Sequence, residues 1–212
     1  MLGMPTHRDL PFQTVLALLG TQRLLLHHNI PISIYIAPGC TLIHVARSKV
    51  ANIFLKSEST HLFWIDSDMA WQPEDFMRLL ALGTRREFIG AAGALKQDQP
   101  SLGVDLGKAP GAADEFDCVP VEGIGLAFTC MQRKLIEAVA ADKPKVSLSQ
   151  GDDELLPAIF RCDISNGIER GEDMAFCADA KALGYEVYLD PSIQLGHIGP
   201  KVYTASAMDL LA

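Results

Sequence analysis

"HLFWIDSDMAW", residues 61–71, decides how this chain is read. The run "HLFWI" (61–65) shows no alternation of polar and apolar positions. It therefore reads as a short strand buried on both faces, as in parallel sheets. The run stops abruptly at Asp66-Ser67-Asp68 and resumes with Met69 and Trp71. Ionised carboxylates are costly to bury unless something pairs with them. In extended backbone, residues i and i+2 point to one side, so Asp66 and Asp68 are expected to share a direction. They stand at the carboxyl end of a central strand, where open α/β sheets bind ligands. Two readings of the pair stand at this point. It can hold a hard divalent cation, Mg²⁺ or Mn²⁺, through oxygen ligands, or it can cap backbone N–H groups in a turn.

The flanking sequence supports the strand. Upstream, "MLGMPTH" (1–7) reads as a first strand and its loop, and residues 11–28 as a helix with Pro11 in its first turn. "PISIYIA" (31–37) is β-branched and aromatic, hence a strand. Ile43, Ala46, Val50, Ile53 and Phe54 fall on one face of a helix. Downstream, Pro73, Glu74 and Asp75 open a helix whose buried side is Phe76, Leu79 and Leu80 and which Gly83 closes. "FIGAAGAL" (88–95) is a further strand. This β-α-β-α-β-α-β order predicts an α/β fold with a mainly parallel sheet.

The second half is less regular. Residues 96–120 read as loop with a short edge strand, "VEGIGLAFTC" (121–130) as a strand after a glycine turn, and "RKLIEAVAA" (133–141) as a helix. Residues 142–170 read as a long loop, the kind that is usually functional or mobile. "GEDMAFCADAKALG" (171–184) is a helix with acids in its first turn, Met174, Cys177 and Ala178 inward, and Gly184 as its stop. "YEVYLD" (185–190) is a last strand. No repeat, low-complexity tract or linker marks a second unit, so residues 1–212 are expected to form a single domain.

Composition narrows the function classes. Of 212 residues, 49% are apolar and 21% charged, an ordinary globular balance with a sizeable core. The formal net charge is −8, and "TRRE" (84–87) is the nearest thing to a basic cluster, which argues against a nucleic-acid partner. Cys40, Cys118, Cys130, Cys162 and Cys177 are scattered without CxxC spacing. That fits a reducing compartment and argues against a disulfide framework or structural zinc. Pro5, His7, Arg8 and Asp9 interrupt the apolar run a signal peptide needs. Residues 15–26, broken by Gln22 and Arg23, are too short to span a bilayer. A cytoplasmic protein without a transmembrane segment is expected, with membrane-surface association and oligomeric state left open.

Two later features carry chemistry. Glu172 and Asp173 follow Gly171 at a helix start, where the helix dipole alone favours acids by up to about 1 kcal/mol. In "DPSIQLGHIG" (190–199), His197 stands between Gly196 and Gly199, and glycine lets backbone approach a ligand closely.

Taken in order, "HLFWIDSDMAWQPEDFMRLLA", "FIGAAGAL", "VEGIGLAFTCMQRKLIEAV" and "GEDMAFCADAKALGYEVYLDPSIQLGHIG" resemble DxD-containing, family-2-like glycosyltransferases of the GT-A fold, over roughly residues 1–199. The resemblance implies a Rossmann-like α/β fold, with a central mainly parallel sheet flanked by helices and a smaller acceptor-side subregion. It implies a nucleotide-sugar-binding half, 1–95, and an acceptor-binding half, 96–212. The implied activity is metal-dependent, hexosyltransferase-type transfer from a nucleoside-diphosphate sugar to a hydroxyl of a saccharide, lipid or protein.

Residue by residue, the resemblance matches Asp66 and Asp68 to the DxD. Asp68 would bind Mn²⁺ or Mg²⁺ directly, and Asp66 would contact ribose or reach the metal through water. His197 matches a late metal ligand. Asp173, with Glu172 beside it, matches the catalytic acid near the acceptor. Pro5 and Thr6, together with Arg8, match the loop on nucleobase and ribose, and Arg47 a basic residue near the nucleotide. Gly123 and Gly125 match a loop over the donor sugar. Many relatives read the base with an acid where this chain has "IAPGC" (36–40), so a UDP-sugar is the default donor and the base stays open.

The implied mechanism follows from charge. Cleaving the bond from the anomeric carbon leaves negative charge on the diphosphate, which a divalent metal stabilises. An acceptor hydroxyl attacks and a carboxylate takes its proton. Asp173 is that base under inversion and an acceptor-orienting group under retention. Two alternatives remain. A sugar-1-phosphate nucleotidyltransferase would carry a glycine- and Lys/Arg-rich loop where "MPTHRDLPF" (4–12) has Arg8 and no glycine run. A nucleotide-binding protein without transferase activity would keep the cleft and lack turnover. Trp64 reads as core, and Trp71 as core or as a wall of the sugar or acceptor site.

Overall fold

In the computed structural model, which describes residues 1–7, 9–99, 101–108, 111–149, 153–165 and 167–211, helices and strands alternate from the first residues. β1 (Leu2–Thr6) leads to α1 (Phe12–His27), β2 (Ile34–Pro38), α2 (Ile43–Leu55) and β3 (His61–Ile65). The short β4 (Met69–Ala70) precedes α3 (Pro73–Gly83) and β5 (Phe88–Gly90). Then come β6 (Val104–Asp105), β7 (Val119–Val121), β8 (Gly123–Ile124), β9 (Phe128–Gln132) and α4 (Arg133–Ala141). Two antiparallel hairpins follow, β10 (Lys145–Ser147) with β11 (Leu155–Pro157), and β12 (Asp163–Ser165) with β13 (Ile168–Arg170). Next are α5 (Glu172–Ala182), β14 (Val187–Leu189), β15 (Gly196–Ile198), β16 (Val202–Tyr203) and α6 (Met208–Leu211).

The central sheet has seven strands in the order β2-β1-β3-β9-β5-β14-β7. β2, β1, β3, β5 and β14 run one way, and β9 and β7 run against them. This mainly parallel sheet flanked by helices is consistent with the expected GT-A-like Rossmann fold. β9, from beyond residue 95, lies between β3 and β5, so both parts of the chain build one sheet.

The alternation of β3 explains its continuous apolar run. Leu62 and Trp64 pack with Val50 and Phe54 of α2, Ile136 of α4 and Phe176 of α5. Phe63 and Ile65 pack on the other face with Leu25 of α1 and Phe76 and Leu79 of α3. Both faces of the strand are covered, so neither needs polar residues. Gly3 lets α2 sit close to β1: a Cβ there would meet Val50 Cγ1 at 2.6 Å and the Trp64 ring at 3.1 Å.

Several local expectations shift. β2 begins at Ile34, where its register with Leu2 of β1 begins. Only Phe88–Gly90 of "FIGAAGAL" is strand, because β9 pairs no further than Gly90 opposite Thr129. On α2, Ala46, Val50 and Phe54 are buried, but Ile43 is exposed. Residues 142–170, read as loop, hold two hairpins. Lys145–Ser147 is exposed throughout, so no apolar alternation announced it. Asn52 Nδ2 donates to the Pro157 carbonyl at 3.0 Å, and Ser48 Oγ accepts from the Phe160 N–H at 3.0 Å, pinning this segment to α2. On α5 the inward residues are Ala175, Phe176, Cys177 and Ala180. Met174 and Ala178 are only half-buried, because the helix turns Phe176 inward to stack on Phe160 at 4.7 Å. Trp71 is core: it is buried, and its indole N–H donates to Thr21 Oγ1 at 2.9 Å. All five cysteines are free. Among the described residues, no helix is long and apolar enough to cross a membrane.

Candidate functional site

A cleft of about 250 Å³ opens at the carboxyl ends of β1 and β3. Its wall includes Pro5 and Thr6 from β1, Asp66, Ser67 and Asp68 after β3, and His197 from β15, with His7, Cys40, Thr41 and Ile43 completing it. Five of the residues singled out by sequence thus meet in one place. The β1 end is tied to the β2 loop by Gly39 N–H donating to the Thr6 carbonyl at 3.0 Å. Gly39 has φ +78°, a backbone conformation that favours glycine.

Asp66-Ser67-Asp68 is a turn, closed by the Met69 N–H donating to the Asp66 carbonyl at 3.2 Å. The i, i+2 alternation of a strand therefore does not apply, and the two carboxylates take different partners. Asp66 Oδ1 accepts from Arg47 Nη2 at 2.6 Å. Asp68 pairs with Lys96 and, through Oδ1, with His197 Nε2 at 3.2 Å. Both aspartates have charged side chains as partners, which answers the burial cost raised by the sequence.

His197 arrives through β-pairing rather than as a loop residue. β15 joins β4 and β16 in a small antiparallel sheet, with His197 opposite Met69. The Ile198 N–H also donates to the Asp68 carbonyl at 2.8 Å. Because β4 directly follows the acidic turn, this register sets the imidazole next to Asp68. His197 Nδ1 lies 2.7 Å from the Ala94 carbonyl. A carbonyl only accepts, so Nδ1 carries the proton. In the neutral ring, Nε2 then presents its lone pair to the Asp68 carboxylate. Two acceptors at that separation need a proton or a cation between them. Burial lowers the His197 pKa, but the hydrogen bond to Asp68 and the Ala94 carbonyl more than offset it, so it is raised above its ordinary 6.5. Burial pushes the Asp68 carboxyl up, but His197 and Lys96 outweigh that and bring it down to about 2.

This donor set suits a hard or borderline divalent ion. Metal-bound histidine commonly donates its other N–H to a carbonyl, as His197 does to Ala94. Mg²⁺-type ions bind one or two carboxylates and take their remaining ligands from water and phosphate. Asp68 and His197 would hold such an ion. Among the described residues, no three His, Cys, Asp or Glu side chains converge as a ligand set, since Asp66 is turned to Arg47.

Arg47 lies under the cleft. Its side chain is only 3% exposed, Nε reaches Glu172 Oε1 at 3.2 Å, and the guanidinium sits 5.3 Å from the Trp64 ring centroid. It supports Asp66 from behind. Glu172 is held by this contact. Asp173 sits one residue further on, with its Oδ2 3.6 Å from where a Cβ of Gly125 would be. Gly123 is buried in β8, where a Cβ would meet Met174 Sδ at 2.6 Å. Arg8 lies outside the described residues. Lys96 and the Ala94 carbonyl were not singled out by sequence; the available signal was a lysine just past the carboxyl end of a parallel strand. A larger, mostly apolar cavity of about 660 Å³ lies at the other end of the strands, around Met1, Leu25, Ile32, Phe63 and Phe76. It contains none of these residues.

No family model and no curated protein significantly matches the sequence. Among solved structures, the chain is similar to A197 from STIV, with 17% identity and a TM-score of 0.63, over 98% of this chain and 89% of that one. This likeness is one of fold. Two looser matches are a glycosyltransferase involved in glycosylation of the major capsid of PBCV-1 (11% identity, TM-score 0.37, 64% of this chain and 62% of that one) and S. aureus TarS 1-349 (12%, 0.43, 99% and 64%). These two superpose too loosely to bear on fold or function.

Proposed function

We propose that this chain is a divalent-metal-dependent glycosyltransferase that moves a sugar from a nucleoside diphosphate, by default UDP, to an acceptor hydroxyl. The observation that carries the reading is the pairing of Asp68 with an Nδ1-protonated His197, beside Asp66, in a cleft at the carboxyl ends of β1 and β3. In this reading Asp68 and His197 hold Mn²⁺ or Mg²⁺, which when bound stabilises negative charge on the leaving diphosphate. Pro5 and Thr6 form the wall against nucleobase and ribose. Asp66, fixed by Arg47, accepts hydrogen bonds from ribose or from water. Asp173 receives or orients the acceptor hydroxyl, next to Gly125. Glu172 serves through Arg47 rather than as a base. Residues 1–95 supply the donor side and residues 96–212 the acceptor side of a single domain, in the cytoplasm.

Calorimetry of UDP with Mn²⁺ and with EDTA tests the reading. Binding that needs the metal, and that falls at least tenfold in Asp68→Asn, is expected; equal affinity in EDTA counts against it. Release of sugar from a labelled UDP-sugar separates an enzyme from a nucleotide-binding protein.

A further inference from the structure

One segment, residues 94–96, touches both candidate metal ligands. The Ala94 carbonyl fixes the tautomer of His197, and the Lys96 ammonium pairs with Asp68 Oδ2. The Lys96 stem runs past Gly199: a Cβ there would lie in ordinary contact, 3.4 Å, from Lys96 Cδ. The lysine therefore lies alongside the end of β15, two residues past His197. Lys96 and Asp68 side chains are 35% and 32% exposed. The pair is therefore open enough to part at modest cost, since ion pairs in contact with solvent hold only weakly.

We propose that Lys96 is a tethered counter-cation that neutralises Asp68 until a divalent ion arrives, and then turns to the diphosphate. The proposal rests on the reading of Asp68 and His197 as metal ligands. A dication and an ammonium cannot share one small carboxylate without strong repulsion. Of the other acids, Asp66 in the cleft is engaged by Arg47, and Asp98 stands out in solvent with its side chain 97% exposed. The free anion left within the cleft is the donor's own diphosphate. Lys96 therefore weakens binding of the metal alone and strengthens binding of the metal with nucleotide. That couples the two ligands and keeps the acidic cleft from filling with metal in the absence of donor.

The test is calorimetry on wild type, Lys96→Gln and Asp68→Asn, with thermal melting to confirm folding. Lys96→Gln is expected to bind Mn²⁺ alone about two- to fivefold more tightly, the size of a partly exposed ion pair. It is expected to bind UDP in saturating Mn²⁺ more weakly by a similar factor. A structural defect would weaken both, so opposite signs are diagnostic. If Asp68→Asn abolishes Mn²⁺ binding but Lys96→Gln leaves either affinity unchanged, the role of Lys96 is overturned and the metal site stands. If neither wild type nor Lys96→Gln binds Mn²⁺, the metal reading fails and takes this one with it.

Discussion

Asp68 and His197 form a pair whose stability has an upper and a lower limit in pH. The Asp68 carboxyl, at about 2 in the fold against 3.8 when unfolded, contributes stability that is complete above about pH 4 and lost as pH falls toward 2. His197 has the opposite sign. Its pKa is raised above 6.5, so its contribution is complete below about pH 6.5 and lost as pH rises through the folded value. The stability difference between wild type and Asp68→Asn, from urea unfolding in EDTA, is therefore expected to be largest between about pH 4 and 6.5 and to shrink on either side. A difference that is flat from about pH 3 to 8 would sink the pairing. The sequence named both residues, but only the Ala94 carbonyl, distant in sequence, shows which ring nitrogen faces the carboxylate.

β1, α2 and β3 show how far local pattern reaches. The helix spacing of Ala46, Val50 and Phe54 and the unbroken apolar run of β3 were both legible, because each follows the period of its own element. The close contact of α2 with the sheet depends on Gly3, whose place is set by packing. Gly3→Ala is expected to destabilise the fold by about 1–3 kcal/mol, as overpacked cores do, since Val50 and Trp64 hem the new methyl in from two sides. Pairing it with Val50→Ala should recover part of the loss in a chemical denaturation series. The hairpins of 142–170 were not legible. Their strands are three residues each; the first is tied to α2 where Asn52 donates to the Pro157 carbonyl, the second is braced by Arg170 on Asp163, and the apolar anchors Ile159 and Phe160 lie between them, outside either strand.

Arg47 joins α2, the end of β3 and the start of α5 through its contacts with Asp66 and Glu172. Removing its charge leaves the largely buried Glu172 and the partly open Asp66 without their cation, around the space the guanidinium filled. Arg47→Met is expected to cost about 3 kcal/mol, in the range for breaking a buried pair. Adding Asp66→Asn and Glu172→Gln to that variant should recover much of it; urea unfolding of the four proteins measures the coupling. A loss below about 0.5 kcal/mol for Arg47→Met would mean that the guanidinium does not bind the two parts together.

The sequence by itself determined the alternation of strands and helices, the burial of β3 on both faces and the identity of the acids at its end. Those features follow from periodicity and from the cost of burying charge, which act over a few residues. Only the tertiary structure decided that Asp66 turns to Arg47, that Asp68 faces Lys96 and His197, and that Glu172 is tied down while Asp173 is left beside Gly125. These pairings depend on the register of β15 on β4 and on contacts between groups far apart in the chain, for which no local spacing carries a signal.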